Sequence, residues 1–138
     1  MALLTKKSIY GLMAIYELYK RKETQELVQL KEISNIANIP QNYLEQILTE
    51  LKKSNLVNST RGAKGGYKIA NHTKEILIKD VIKVLDGELN TNREKTTSPI
   101  FNLFFYDCDK KLDQLFDKPL SHIETYEQML SKQMNYTI

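Results

Sequence analysis

Only five glycines occur in this chain, and three of them, Gly62, Gly65 and Gly66, sit together in the stretch STRGAKGGYKIA, Ser59 to Ala70. Arg61, Lys64 and Lys68 are interleaved with them and Tyr67 closes the cluster. Glycine supplies backbone conformations that other residues resist, so a cluster marks a tight turn or a close backbone approach. The flanks, LVNST and YKIA, are short and β-leaning, which predicts a hairpin with the basic glycines at its tip. By itself such a loop is equally well a solvent-exposed turn. It is not the phosphate cradle of an NTPase, because no G-x-x-x-x-G-K-[S/T] string occurs.

What precedes the hairpin is helical. Thr5 is placed to cap a helix to about Lys22, with Ile9, Leu12, Met13, Tyr16 and Tyr19 as its buried stripe. RKETQEL reads as a loop. Leu30, Ile33, Ile36 and Ala37 then mark one face of a short helix. Pro40 suits the first position of a third helix, whose inward face is Leu44, Ile47, Leu48 and Leu51. Asn55 suits a left-handed end to it. Beyond the hairpin, Ile78, Val81, Ile82 and Leu85 recur at helical spacing, and Gly87 is the stop. ELNTNREKTTS is a polar linker. Ser98-Pro99 opens a long helix, about Pro99 to Asp117, carrying Phe101, Phe104, Phe105, Cys108, Leu112 and Leu115. Pro119 breaks it, and Ser121 with Glu124 matches a capping box opening a last short helix.

Three helices followed by a hairpin is the order of a winged helix-turn-helix, in which the helix after the tight turn enters the DNA major groove. The fold class expected is therefore mainly α, with a small β-hairpin wing followed by a long helix. Charge agrees. Residues 1–87 carry 14 Lys/Arg against 9 Asp/Glu, and residues 88–138 carry 6 against 8. The basic half suits phosphate contact. Residues 1–87 are accordingly read as the DNA-binding domain, and 88–138 as linker, long helix and C-terminal tail. An arginine at the tip, Arg61, suits a narrow minor groove.

The run NYLEQILTELKKSNLVNSTRGAKGGYKIA, followed by ILIKDVIKVLDG, resembles the Rrf2 family of bacterial transcription regulators. LTKKSIYGL is similar to that family's opening segment, so the resemblance covers residues 3–87 closely. It implies a homodimer with a winged-helix head and a long crossed dimerisation helix, about Pro99 to Asp117, acting as a repressor on a pseudo-palindromic operator, with residues 88–138 as linker, dimerisation helix and C-terminal tail. Carried onto this chain, it implies base and backbone contacts from Pro40, Gln41, Asn42, Tyr43, Glu45 and Gln46, and a wing contact from Arg61, Gly62 and Lys64. Glu45 would accept from a cytosine amino group, or be an ordinary exposed carboxylate. Tyr43 is core, backbone contact, or both. Lys52 and Lys53 read as a solvated helix end.

Many members of that family ligate an iron–sulfur cluster through three cysteines after the position of Gly87. This chain has only Cys108 and two histidines, His72 and His122. No cofactor or metal is expected. Cys108 reads as a small buried hydrophobe at a dimer seam, with a redox role as the alternative, and an iron–sulfur-responsive regulator remains the alternative function. Phe101, Phe104, Phe105 and Phe116 read as packing, with an effector pocket as the alternative. The lack of cluster cysteines and a tail with Tyr136 two residues before Ile138, a partial match, resemble the family's cysteine-metabolism repressor subgroup. Its implied partner is cysteine synthase, reached here through Tyr136 and Ile138 in MNYTI. A protein–protein adaptor without DNA is the reading from another class. No catalytic constellation appears, so no enzyme is expected. The longest nearly apolar run, IYGLMAIY, is too short to span a bilayer. The tyrosines near the start do not suit a signal peptide. A cytoplasmic protein is expected.

Overall fold

A computed structural model describes residues 2–71, 74–91 and 94–137, with the backbone alone for 135–137. Its elements run α1 (Lys6–Tyr19), α2 (Leu30–Ala37), α3 (Gln41–Lys53), β1 (Val57–Thr60), β2 (Gly66–Ile69), α4 (Ile78–Asp86), α5 (Pro99–Phe116) and α6 (His122–Thr137). His72, Ile138 and the side chain of Tyr136 lie outside the described residues.

The core forms where α1, α3 and α4 converge. Leu44, Ile47, Leu48 and Leu51 of α3 are fully buried, as their spacing predicts. Each is worth about 1.5–3 kcal/mol on burial. Ile78, Val81, Ile82 and Leu85 of α4 join them. α3 ends at Ser54, and Asn55 takes the left-handed conformation expected of it, φ 62°. Gly87 stops α4 with φ 82°. Ser98 caps α5 by accepting from the Phe101 N–H at 3.3 Å.

Four expectations are corrected. Helix α1 ends at Tyr19 rather than Lys22, and its buried face is Ser8, Gly11, Ala14, Ile15 and Leu18. Ile9 is 46% exposed and Met13 40%. The small residues win because α1 packs closely on α4: a Cβ on Gly11 would lie 2.2 Å from Leu85 Cδ1. On α2, Ile33 is buried and Ile36 is exposed. Pro40 stands just before α3 as its cap, not at the first helical position. The last helix is not short: α6 has 16 residues. Its first turns lie on α1, where the Tyr16 hydroxyl donates to Glu127 Oε2 at 2.6 Å.

The chain returns to the head after α5. Leu120 is buried in the core, its N–H donates to Ile76 O at 2.9 Å, and the Ile78 N–H donates to Lys118 O at 2.8 Å. Lys79 of α4 bridges Asp113 of α5 at 3.4 Å and Asp117, which caps the end of α5, at 3.5 Å. The start of α1 is tied to the end of α4: the Thr5 N–H donates to Asp86 Oδ2 at 3.0 Å, and its hydroxyl donates to the other oxygen. Burial works against the Asp86 carboxylate. The Thr5 hydroxyl and N–H, with Ser8 and Lys7, outweigh it and hold the group below the usual carboxylate range.

Candidate nucleic-acid interface

Helix α3 has two rows. The buried one locks its orientation, and on the opposite side Gln41, Asn42, Glu45 and Gln46 are all exposed. Pro40 is exposed just before them. The first turn of a helix carries backbone N–H groups without intrahelical partners, which favours an anion there. No side chain caps α3. Tyr43 is half-buried, and its ring meets Tyr10 edge-on at 5.8 Å. It therefore braces α3 against α1 while keeping an accessible edge. Lys6 lies 5.9 Å from the Tyr10 ring, so a cation sits beside this brace. Lys52 and Lys53 occupy the exposed last turn.

The hairpin pairs Val57 with Ile69, Asn58 with Lys68, Ser59 with Tyr67 and Thr60 with Gly66. Arg61, Gly62, Ala63 and Lys64 are exposed at its tip. The root is held from the α1–α2 loop. The Val28 N–H donates to Tyr67 O at 2.9 Å, and the Tyr67 N–H donates to Val28 O at 2.8 Å. Gln29, which precedes α2, donates from Nε2 to Ala63 O at 3.1 Å. Neither Val28 nor Gln29 is marked by periodicity; the one signal is a β-branched residue flanked by ELVQL.

The glycines divide by this geometry. A Cβ on Gly65 would sit 2.0 Å from Thr60 O, and one on Gly66 would sit 2.6 Å from Val28 O. Those two are required by the turn and by the Val28 crossing. Gly62 has φ 111° and nothing within 4 Å, so it alone leaves open space at the tip. Tyr67 joins the two parts: burial, and then the Glu45 carboxylate nearby, raises its phenol above the ordinary value. The structure thus brings Glu45 to the same side as the wing root.

The remaining candidates lie elsewhere. Cys108 is half-buried on α5. No side chain of α5 is fully buried. Phe101 and Phe104 are exposed, while Phe105, Leu112 and Phe116 are half-buried. A groove of about 650 Å³ between α4 and α5 is lined by Leu112 and Phe116 but not by Phe101, Phe104 or Phe105. No helix among the described residues is long and apolar enough to cross a membrane.

Known proteins match this arrangement. A family model described as Rrf2, iron-dependent transcriptional regulator, matches residues 4–103. The HTH-type transcriptional regulator CymR of Bacillus subtilis is 38% identical over 84 residues, 61% of this chain and 60% of that protein. The chain therefore aligns with less than two thirds of that relative's length. Among solved structures, CymR, the global cysteine regulator of B. subtilis, superposes with a TM-score of 0.80 at 28% identity, covering 91% of this chain and 98% of that one. The T. potens IscR structure gives 0.74 at 27% identity, covering 90% and 87%.

Proposed function

This chain belongs to the Rrf2 family of transcriptional regulators, and on that premise we propose that it is a DNA-binding regulator of transcription and not an enzyme. In this reading it is a homodimer that represses by occupying a pseudo-palindromic operator. Residues 1–87 carry the DNA-binding part, and 88–138 pair the subunits. The observation that carries it is the exposed row Gln41, Asn42, Glu45 and Gln46, set over a fully buried row and beside a basic wing tip. Gln41 and Asn42 stand at the helix end, where bases and phosphates are both in reach. Glu45 is the base-reading acceptor. Arg61, Gly62 and Lys64 meet the backbone or the minor groove.

The test begins with selection of an operator from random duplexes, followed by anisotropy titrations across a range of salt. Arg61→Ala is expected to weaken binding to all sequences and to lower the salt slope by about one. Glu45→Ala is expected to relax preference at one base pair by about 1–3 kcal/mol. Salt-insensitive or absent duplex binding by the intact protein would favour the adaptor reading instead.

The likeness to a regulator of cysteine supports a second step: control of cysteine or sulfur metabolism, with residues 135–138, including Tyr136 and Ile138, docking on cysteine synthase. Calorimetry with the enzyme from the same organism is expected to show binding that removal of Ile138 abolishes. No heat at tens of micromolar, a range that detects binding stronger than about −6 kcal/mol, discards that partner.

A further inference from the structure

The family's description as iron-dependent raises the question of whether this chain has the chemistry to hold iron. Iron–sulfur clusters take thiolate ligands, usually four, with imidazole as the occasional replacement. One cysteine per chain gives a dimer only two thiolates. Non-haem iron uses two histidines and a carboxylate facing one point. Among the described residues no three His, Cys, Asp or Glu side chains converge in this way. The acidic groups around the α4–α5 linker have other roles. Asp109 accepts from the Thr91 N–H at 2.6 Å, Asp113 and Asp117 hold Lys79, and Glu88 pairs with Lys83 at 3.0 Å. His122 stands edge-on to Tyr126 at 5.5 Å, at the start of α6. Among the described residues, the donor set does not fit iron.

The linker is nevertheless organised, by hydrogen bonds among three half-buried side chains. Asn102, one turn into α5, accepts the Thr96 N–H at 2.8 Å and the Thr96 hydroxyl at 2.9 Å through Oδ1. Its Nδ2 donates back to Thr96 O at 3.1 Å. The Thr96 hydroxyl oxygen accepts the Ser98 N–H at 3.0 Å, and Ser98 Oγ accepts the Phe101 N–H at 3.3 Å. The Ser98 N–H bond lies within the linker, and the others run from residues 96–98 to the first turn of α5. Together they fix how the linker enters α5, while Lys79, bridged to Asp113 and Asp117, ties the far end of α5 to the head.

We infer that this chain is an iron-independent member of its family, in which the Thr96–Ser98–Asn102 lock, and no metal, organises the linker where it enters α5. The part concerning DNA rests on the reading above; the lock and the iron chemistry do not. Full-length protein is stripped with a chelator, and a second portion is reconstituted without oxygen with ferrous iron and sulfide. Both are assayed for bound iron, visible absorption and affinity for the selected duplex. The expected result is iron well below one per chain, no chromophore, and the same affinity in both. Stoichiometric iron with a changed affinity overturns iron independence.

Thr96→Val, which keeps the side-chain shape, and Asn102→Ala are then compared by hydrogen exchange. The Ser98 amide should exchange roughly tenfold faster in Thr96→Val, and the Thr96 amide likewise in Asn102→Ala, with helix content unchanged. Duplex affinity should fall in both. Unchanged exchange in both variants overturns the lock. If neither preparation of the parent binds any duplex, the DNA reading is lost, while iron content and exchange still decide the inference.

Discussion

Leu103→Glu on α5 is expected to turn the proposed dimer into monomers and to cut affinity for the full operator by a hundredfold or more, roughly the lower end of the gain from joining two binding modules. The reason is the surface that α5 presents. Ile100 is 79% exposed and Leu103 70%, and Phe104 and Leu115 lie exposed on the same helix. On α6, Tyr126, Met129 and Leu130 are also exposed. Contiguous apolar exposure on this scale marks an interaction site. A carboxylate buried there without a partner costs several kcal/mol, more than an interface of ordinary strength can absorb at micromolar concentration. Leu103 takes no part in the head's core, so the head's own fold should survive. Sedimentation should give a monomer mass, and binding to a single half-site should match that of the parent. A variant that remains dimeric would remove α5 from subunit pairing, and a monomer that binds the palindrome as the parent does would show that pairing adds nothing to operator affinity.

Helix α3 was legible from its residues because four large side chains at strict spacing leave only one face to bury. The same rule misplaces α1, where the tightest packing belongs to Gly11 and Ala14. Hydrophobicity does not count small residues as inward-facing, yet they are what allows two backbones to approach. The apolar Ile9 and Met13 then stand outside, which periodicity within one chain cannot foresee. Leu120 was invisible for another reason. It is a single leucine after a proline, with no repeat, and only the return of the chain across α4 buries it. Within the candidate interface, the exposed residues of α3 and the wing tip follow from element order. The brace of Tyr43 on Tyr10, and the crossing of Val28 over the wing root, join segments distant in sequence and leave no local signal.

That crossing makes Gly66 a sensitive position of the wing. Gly66 has φ 150°, and an added Cβ would lie 2.6 Å from Val28 O and 2.8 Å from Val28 C. Those are backbone atoms, held by the paired hydrogen bonds with Tyr67, and the Val28 side chain is itself buried in the core. Relief therefore requires both bonds to lengthen or the core to open. Backbone strain of about 1–3 kcal/mol adds to the partial loss of two bonds worth about 0.5–1.5 kcal/mol each. Gly66→Ala is thus expected to lose about 2–5 kcal/mol in urea unfolding, with duplex binding falling as the wing detaches. Gly62→Ala supplies the control. Its φ of 111° also disfavours a side chain, but nothing lies within 4 Å of the new methyl. It should lose only the strain, about 1–2 kcal/mol. Equal losses at the two positions would mean that backbone conformation alone demands these glycines, and that the approach of Val28 does not stabilise the wing.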